Sequence, residues 1–240
     1  MKHTDIERAA FDAALSRIDY EFTQQQKELL IKHLDLVVAK NESLNLTRIT
    51  SFEDAVVRHI EDSLSVLPEF DKTQGRFIDI GTGGGFPGIP LGVVTGREGV
   101  LLDSVQKKAA AVQEFIDELC LGNQLEACGL RSEELAKKQP ESFDVVIARA
   151  VATQPVVMEF GAPLLRFNGF LIVMKGSEST EDEKMAENAS SRLGFERVSV
   201  RKFKIGNDLY DRSAYVYEKV REPEIKLPRR PGMATKRPIC

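Results

Sequence analysis

Residues 76–91, RFIDIGTGGGFPGIPL, decide the fold of this chain. They begin with a short apolar run at 77–80 that is typical of a buried parallel strand, with Asp79 near its carboxyl end. Glycine admits positive φ angles and lets a ligand approach the backbone, so a glycine cluster after a strand indicates a binding loop. The cluster consists of Gly81, Gly83, Gly84 and Gly85. We predict a strand, a ligand-binding loop and then a helix, because Pro87 and Pro90 suit a first helical turn.

Two classes of ligand use a loop of this kind. Gly83, Gly85 and Gly88 satisfy the G-x-G-x-x-G spacing of dinucleotide-binding proteins, which is a weak match when it stands alone. The pattern D-x-G-x-G-x-G at residues 79–85 instead resembles the first motif of class I S-adenosylmethionine-dependent methyltransferases. Their cofactor carries a cationic sulfonium and a cationic amino group, which the carboxylate of Asp79 would attract. We therefore expect the cofactor to contact Asp79 and the loop glycines, whereas a glycine turn made for packing alone would not need that carboxylate.

The whole chain is compatible with one α/β domain and an appendage. Its 240 residues allow a sizeable core, and no apolar run approaches the length of a membrane span. The first residues, MKHTDIERAA, lack the apolar core of a signal peptide. The three cysteines show no C-x-x-C spacing, which argues against a disulfide framework and a zinc site. We expect a cytoplasmic monomer that binds no metal and no membrane.

Charge is distributed unevenly along the chain. Residues 201–240 carry eleven Lys or Arg against five acidic residues, although the whole chain has a formal net charge of −4. From residue 222 onward there are four prolines and no hydrophobic period. We therefore predict an extended basic tail with too few apolar residues to pack. Such a tail either binds phosphate or is a solvated end.

The first part of the chain is predicted to be helical. Thr23 and Gln26 form a capping-box signature, and His33 lies on the apolar stripe that follows, which favours a packed histidine. A further helix begins near Ser51 and places His59, Asp62 and Ser63 on one patch. That patch is a solvated face, a hydrogen-bond network between helices, or part of a site. Its position just before the glycine loop makes His59 and Asp62 candidate catalytic residues.

Polar residues follow the later strands of the predicted sheet. Asp103 ends the second strand, 22 residues beyond Gly81, where an acidic side chain accepts hydrogen bonds from a ribose. Ser132 and Glu133 follow a third strand at 125–128, at the edge where adenine would lie. Arg149 is delivered to the same edge by the apolar strand at 143–148, where it either forms a surface ion pair or faces a substrate.

The remaining segments complete a Rossmann-like, mostly parallel sheet of the class I methyltransferase type. A fifth strand is predicted at 170–174, and two further strands at 195–200 and 213–217 are predicted to close the sheet as an antiparallel pair. We divide the chain into an N-terminal helical extension (1–70), a Rossmann-like core (71–220) and a basic proline-rich tail (221–240).

Several motifs together resemble one family. They are Asn45-Leu46-Thr47, the H-x-x-D-S of residues 59–63, the extended loop F-I-D-I-G-T-G-G-G-F-P-G, the L-L-D-S of residues 101–104 with Lys107, Arg149-Ala150 and Lys175-Gly176. On these motifs the chain resembles the bacterial small-subunit ribosomal RNA guanine-N7 methyltransferases, the glucose-inhibited division protein B family. The resemblance covers residues 20–218, and the basic tail is similar to that of many members.

The resemblance implies a cofactor, a substrate and residue roles. It implies S-adenosylmethionine as cofactor and 16S rRNA, alone or in the small ribosomal subunit, as partner, with methylation at N7 of a guanosine. The implied cofactor contacts are Gly81, Phe86, Ser132, Glu133 and Arg149, with Asp103 at the ribose; Asp79, Gly83 and Gly85 join them from the loop motif. The candidate catalytic residues are Arg149, His59 and Asp62, and the candidate RNA contacts are Lys107, Lys175, Arg229 and Arg230.

The residues near strand four fit this chemistry. N7 of guanine carries a free lone pair, so methylation needs alignment of the reacting atoms and no general base. Enzymes that methylate exocyclic amines typically show N/D-P-P-F/Y after strand four, and those that methylate C5 of cytosine place a cysteine there. This chain has Arg149-Ala150-Val151-Ala152. An arginine suits guanine, whose O6 accepts a hydrogen bond while N7 reacts.

Three alternatives remain open from the sequence. One is a class I methyltransferase that acts on another RNA position or on a small molecule. Another is a nicotinamide-dependent dehydrogenase, against which Asp79 and the lack of a hydride-transfer constellation argue. The last is a silent RNA-binding module that kept the fold, against which the retained Asp79, glycines and Asp103 argue.

Overall fold

The computed structural model describes residues 3–49, 51–177 and 179–240, and within them seven strands form one sheet. The strands are β1 (Phe77–Ile80), β2 (Gly99–Leu102), β3 (Leu125–Cys128), β4 (Phe143–Arg149), β5 (Leu165–Lys175), β6 (Phe195–Ile205) and β7 (Tyr210–Lys219). Their order is β3-β2-β1-β4-β5-β7-β6. Strands β1 to β5 pair in parallel, and β7 is antiparallel to both β5 and β6. The mostly parallel sheet with a closing antiparallel pair is thus confirmed.

Helices cover both faces of the sheet. They are α1 (Asp5–Leu15), α2 (Gln24–Leu44), α3 (Phe52–Ala55), α4 (Asp62–Leu64), α5 (Leu67–Phe70), α6 (Gly88–Thr95), α7 (Gln106–Glu118), α8 (Ser132–Lys138), α9 (Gln154–Gly161), α10 (Thr180–Leu193) and α11 (Met233–Lys236). A π-helical segment, Val56–Glu61, joins α3 to α4. No helix among the described residues is both long and apolar enough to cross a bilayer.

Side chains of the central strands alternate between two apolar layers, because successive residues of a strand point to opposite faces. Phe77 of β1 belongs to the layer that holds α2, α6 and α7, whereas Ile78 and Ile80 belong to the layer that holds α8, α9 and α10. All four residues of β1 are buried. A strand buried on both faces leaves its side chains out of contact with water, so the carboxylate of Asp79 needs hydrogen-bonding partners inside the protein.

The N-terminal helices belong to the first of these layers. Leu30, Leu34 and Val37 of α2 are buried in it together with Ile60 and the β1 side chain of Phe77. The predicted capping box at the start of α2 is present, with the Thr23 hydroxyl accepting from the Gln26 amide. Within this layer, α2 packs on α6 and α7. The three-part division at residues 70 and 220 stays a prediction.

The C-terminal tail differs from the expectation. Ala234 and Ile239 are 1% and 5% exposed, and Ile225 and Leu227 pack against the second apolar layer. The prediction that the tail has too few apolar residues to pack is wrong. A few apolar side chains suffice here because they lie on a preformed apolar surface next to α9, where each needs to bury only one side.

Candidate functional site

The glycine loop connects β1 to α6 and is tied to the neighbouring strand. The amides of Gly81 and Thr82 donate to the carbonyl of Leu102 at 2.7 and 3.0 Å. Gly83 has a φ of +61°, and a Cβ built on it meets no atom within 4 Å, whereas a Cβ on Gly85 would meet Ile89 Cδ1 at 2.6 Å. Gly83 therefore faces open space that a ligand can use, and Gly85 permits close packing of the loop on α6.

Asp79 lies inside the fold and supports this loop. Its Oδ2 accepts from the Thr82 hydroxyl at 2.6 Å and from the Gly88 amide at 2.9 Å, and the residue is fully buried. Burial raises the pKa of Asp79 to about 6, partly offset by the hydrogen bond from Thr82. The carboxylate thus holds both ends of the loop. Direct contact of Asp79 with the cofactor stays a prediction.

Asp103 joins the loop to the end of β2. Its Oδ2 accepts from the Gly83 amide at 3.1 Å, and its Oδ1 accepts from the Val105 amide at 2.8 Å. The residue borders a narrow cavity of about 100 Å³, called the inner cavity below, together with Gly81, Ser132, Glu133, Val151 and Phe160. Each carboxylate oxygen can accept more than one hydrogen bond, so Asp103 retains capacity for a ribose hydroxyl.

Ser132 and Glu133 begin α8 on the other side of the inner cavity. The Ser132 hydroxyl donates to the Phe160 carbonyl at 3.0 Å, and Glu133 Oε1 accepts from the Gly232 amide at 2.9 Å. Both residues are 6% exposed. Their side chains are therefore engaged with α9 and the tail, which fixes the position of the α8 backbone beside the inner cavity.

The π-helical segment carries His59 to the opposite side of the glycine loop. A π turn within an α-helix widens the backbone locally and is frequent at functional sites. His59, Asp62 and Ser63 are 7%, 5% and 0% exposed, so the interpretation of this patch as a solvated face is wrong. Asp62 pairs with residues of β4 and β7, so its ion pairs reach the sheet and do not form the predicted network between helices.

Two histidine rings pack against Phe86 of the glycine loop, one of them stacked and the other tilted. Phe86 lies between His33 and His59, with ring centroids 4.4 Å from each. His33 Nε2 lies 2.9 Å from the Gly84 carbonyl, to which it donates when it carries the proton. His33 is fully buried, as predicted, and burial lowers its pKa to about 4. The histidine thus links α2 to the glycine loop, a contact that its place on an apolar stripe did not indicate.

His59 is held as a neutral ring. Its Nε2 lies 3.0 Å from the Thr47 hydroxyl, and burial, followed by the charge of Arg149, lowers its pKa to about 3. Nδ1 is buried with no hydrogen-bond partner in the described structure. A ring with such a low pKa is a weak base at neutral pH. A role of His59 in catalysis stays a prediction.

Asp62 is bracketed by two arginines from different strands. Its Oδ2 accepts from Arg149 Nη1 at 3.0 Å, and its Oδ1 accepts from Arg212 Nε at 2.7 Å. Arg149 Nη1 also donates to the Arg58 carbonyl at 2.8 Å. The two arginine side chains are 14% and 18% exposed, so each can present part of its guanidinium to a ligand.

Arg212 was missed in the sequence analysis, yet a signal for it existed. Strand β7 is antiparallel to β5, with Ser213 in register with Lys175. Since an antiparallel strand enters the sheet at the edge where parallel strands end, the residue that precedes Ser213 had to lie at the functional edge. Arg58 and Thr47, which also border this site, lacked a comparable signal.

Two further cavities continue the inner cavity along this edge of the sheet. The middle cavity, of about 360 Å³, is bordered by Thr47, Arg58, His59, Gly81, Gly83 and Phe86. The outer cavity, of about 410 Å³, is bordered by Thr153, Met174, Lys175, Ser177 and Asp182. Gly81 borders both the inner and the middle cavity, while Asp62, Arg149, Ala150 and Arg212 border both the middle and the outer one. The three cavities form one row.

The predicted RNA contacts are not brought together. Lys175 borders the outer cavity and donates to the Ala152 carbonyl at 3.0 Å, whereas Lys107 is exposed in the first turn of α7. Arg229 donates to the buried carboxylate of Glu159 at 2.6 Å, and its neighbour Arg230 is exposed. The Arg229 guanidinium therefore has a structural contact, and its role in RNA binding stays a prediction without geometric support.

Comparison with known proteins identifies a family that matches most of this chain. The model of the family described as rRNA small subunit methyltransferase G (GidB) matches residues 26–212. A protein named ribosomal RNA small subunit methyltransferase G from Carboxydothermus hydrogenoformans is 39% identical over 90% of this chain and 93% of its own length. A protein of the same name from Clostridium tetani is 32% identical over the full length of both. The second match includes the tail.

Solved structures agree on the fold. A S-adenosylmethionine-dependent methyltransferase from Methanosarcina mazei superposes with a TM-score of 0.54 at 13% identity, covering 65% of this chain and 98% of that one. The cyclase SpnF superposes with a TM-score of 0.57 at 13% identity, covering 85% and 98%. The second protein is named for a different reaction, so this fold alone does not determine chemistry.

Proposed function

This chain belongs to the rRNA small subunit methyltransferase G family, and from that membership and the row of cavities we propose that it transfers a methyl group from S-adenosylmethionine to N7 of a guanosine in 16S rRNA. The proposal includes residue roles along the row. The inner cavity takes the adenosine, the middle cavity takes the reacting groups, and the outer cavity takes the neighbouring part of the RNA.

The residues around the inner cavity fit the cofactor. Asp103 has spare acceptor capacity for ribose hydroxyls, and the open space beyond Gly83 admits a ligand against the backbone. When bound, S-adenosylmethionine supplies an electrophilic methyl group on a cationic sulfonium. The backbone of Gly81 borders both the inner and the middle cavity, so it is placed to orient the ligand between them. Phe86, clamped between two histidines, keeps the loop rigid.

The observation that carries the choice of nucleophile is the absence of an available base in the middle cavity. Within the described lining, His59 and Asp62 are the side chains that could accept a proton. His59 has a pKa of about 3, and both oxygens of Asp62 accept from arginines. An amine or a carbon nucleophile would need help to lose a proton, whereas N7 of guanine attacks with its own lone pair. The site therefore favours N7.

The two arginines suit a guanine that is oriented in this way. Arg149 uses Nη1 for both of its contacts, and a guanidinium has five N–H donors, so further donors remain for O6 of guanine. Arg212 lies on the other side of Asp62 and is placed toward the outer cavity, where Lys175 is also found. A positive outer cavity suits the phosphates of the flanking nucleotides. Asp62 acts through the arginines by fixing their positions.

The finer aspects of the partner also belong to this proposal. We place the reaction in the cytoplasm, on 16S rRNA either free or within the small subunit, with a monomer as the acting form. Flipping a base out of its stack costs a few kcal/mol. We therefore expect the target to be a weakly stacked guanosine in an RNA loop.

The test is methyl transfer to defined substrates. Methyl-labelled S-adenosylmethionine is incubated with the protein and with small subunits, or with purified 16S rRNA, from a strain that lacks this enzyme. The modified nucleotide is then identified by mass spectrometry of nuclease fragments. The expected product is one 7-methylguanosine in 16S rRNA. Label in a different nucleotide, or transfer to a small molecule with none to rRNA, would refute the proposal.

A further inference from the structure

The tail from residue 222 onward is attached to the body of the protein by three kinds of contact, of which the third reaches the wall of the inner cavity. The first is apolar, since Ala234 and Ile239 are buried and Leu227 packs against the layer that contains α8 and α9. The tail therefore covers the apolar layer that also holds α8, whose first turn borders the inner cavity.

The second contact is an ion pair with α9. Arg229 Nε donates to Glu159 Oε1 at 2.6 Å, and Arg229 Nη2 donates to the second oxygen of Glu159 and to the Arg237 carbonyl, the latter at 2.8 Å. Glu159 is 4% exposed. A bidentate pair between arginine and a buried carboxylate fixes orientation as well as distance. Arg229 therefore fixes its own part of the tail to α9 and, through the Arg237 carbonyl, also the segment that follows it.

The third contact reaches the cavity wall itself. The Gly232 amide donates to Glu133 Oε1 at 2.9 Å, and Glu133 borders the inner cavity in the first turn of α8. Gly232 has a φ of +81°, a conformation that glycine adopts without strain. Ser132, the preceding residue, is held from the other side by the Phe160 carbonyl of α9. The start of α8 is thus fixed by α9 and by the tail together.

We propose that the tail is a support of the cofactor site, in which Arg229 is a positioning residue that acts through Gly232 on Glu133. Its first effect is on the affinity for the cofactor, and this rests on the proposed function. The exposed Arg230, one residue further along, has no part in this support. Adjacent arginines of equal charge therefore have different effects, which a purely electrostatic role of the tail does not allow.

The experiment compares Arg229→Ala with the matched control Arg230→Ala, both in the full chain and without RNA. Affinity for S-adenosylhomocysteine is measured by calorimetry, and thermal unfolding confirms that each variant is folded at the working temperature. We expect Arg229→Ala to raise the Kd about tenfold and Arg230→Ala to change it less than about twofold. With small subunits as substrate, Arg229→Ala should raise the KM for S-adenosylmethionine and leave kcat near the wild-type value.

A second pair of variants covers the case in which Arg229→Ala does not fold. The double variant Arg229→Gln with Glu159→Gln removes both charges and the bidentate contact, because glutamine at position 229 is shorter than arginine, and it leaves no unpaired charge in the interior. A higher Kd for S-adenosylhomocysteine in this folded double variant than in the wild type supports the proposal as well.

The outcomes are distinguishable. Equal Kd values for the Arg229 variants, Arg230→Ala and the wild type would overturn the support role. Normal cofactor affinity with weaker RNA binding for Arg229→Ala would overturn it too and would make the tail an RNA contact. Failure of the wild type to bind S-adenosylhomocysteine would refute the proposed function instead.

Discussion

The glycine loop, which borders the inner cavity, and the C-terminal tail, which contacts Glu133 in the wall of that cavity, are held in place in different ways. The loop is held by contacts close in sequence, such as those of Asp79 with Thr82 and Gly88, three and nine residues away. The tail is held by contacts of Arg229 with Glu159 and of Gly232 with Glu133, 70 and 99 residues away. Local contacts leave a pattern in the sequence, whereas distant contacts leave only isolated charged residues. The basic residues of the tail therefore predicted a phosphate-binding segment, whereas in the structure Arg229 attaches the tail to Glu159.

The largest effect is expected within the loop, for Gly83→Val. A side chain at Gly83 would enter the open space of the site, and a β-branched residue strains a φ of +61°. The Kd for S-adenosylhomocysteine should rise about 100-fold or more. Gly96→Val is the matched control, since Gly96 has a φ of +68° and equally open space but lies at the end of α6. Equal losses of affinity in both variants would mean that strain alone is responsible.

Arg149→Ala tests whether a distant contact can also carry function. Arg149 pairs with Asp62 across 87 positions, yet Asp62 keeps Arg212 after the substitution. The rate of methyl transfer at saturating substrates should fall about 100-fold, while the free energy of unfolding falls by only about 1–2 kcal/mol. The control is Arg166→Ala, an arginine paired with Asp144 at the far end of the sheet. An unchanged rate for Arg149→Ala would remove it from the reaction.

The two histidines packed against the glycine loop should make the stability of the protein depend on pH. The tail contains no histidine and should make no such contribution. His33 and His59 have pKa values lowered from 6.5 to about 4 and about 3, so the stability they contribute is present above pH 6.5 and is lost as the pH falls. Asp79 acts in the opposite sense, since its pKa is raised from 3.8 to about 6 and its contribution is lost as the pH rises through that value. The two histidines outweigh it.

His33→Gln isolates one of these contributions, because its amide nitrogen can still donate to the Gly84 carbonyl. The free energy of unfolding, measured with urea, should decrease in both proteins as the pH is lowered from 6 to 5. The decrease per pH unit should be about 1 kcal/mol smaller in the variant than in the wild type. Identical slopes in the two proteins would show that His33 is not held neutral.

The smallest effect is expected for the exposed charges of the tail. The double substitution of Arg230 and Lys236 by alanine should weaken RNA binding several-fold and reduce the slope of log K against log salt by about 0.7 to 0.9 for each lost phosphate contact. Substitution of Lys27, a half-buried lysine of α2 that pairs with Asp12, is the control. An unchanged slope would identify these tail charges as solvated.

Much of the fold was predictable because buried parallel strands are apolar runs. Strand β3 was predicted with its observed bounds, and β1 and β4 differ from the prediction by at most one residue at an end. Strands β6 and β7 extend beyond the predicted 195–200 and 213–217, since the hairpin ladder continues through mostly polar residues that show no apolar alternation. The π-helical segment had no local signal, because it differs from an α-helix by a single inserted residue.

The candidate site was predictable where a residue ends a parallel strand, as Asp103 and Arg149 do. Residues that reach the site from elsewhere were not, since their positions depend on the packing of whole elements. Arg212 enters on an antiparallel strand, and His33 reaches the loop from α2, 51 positions before Gly84. The position of the tail likewise depends on contacts with residues distant in the sequence, which is why its packing was predicted wrongly.

A crystal structure of the protein with S-adenosylhomocysteine tests the central claim, that the cofactor lies along the glycine loop between the inner and the middle cavity. The account predicts that the Asp103 carboxylate accepts from the ribose hydroxyls at about 2.5–3.0 Å, that the adenine lies beside the start of α8, and that the sulfur faces the middle cavity near Gly81 and Arg149. A ligand bound elsewhere, or one whose ribose does not contact Asp103, would contradict it.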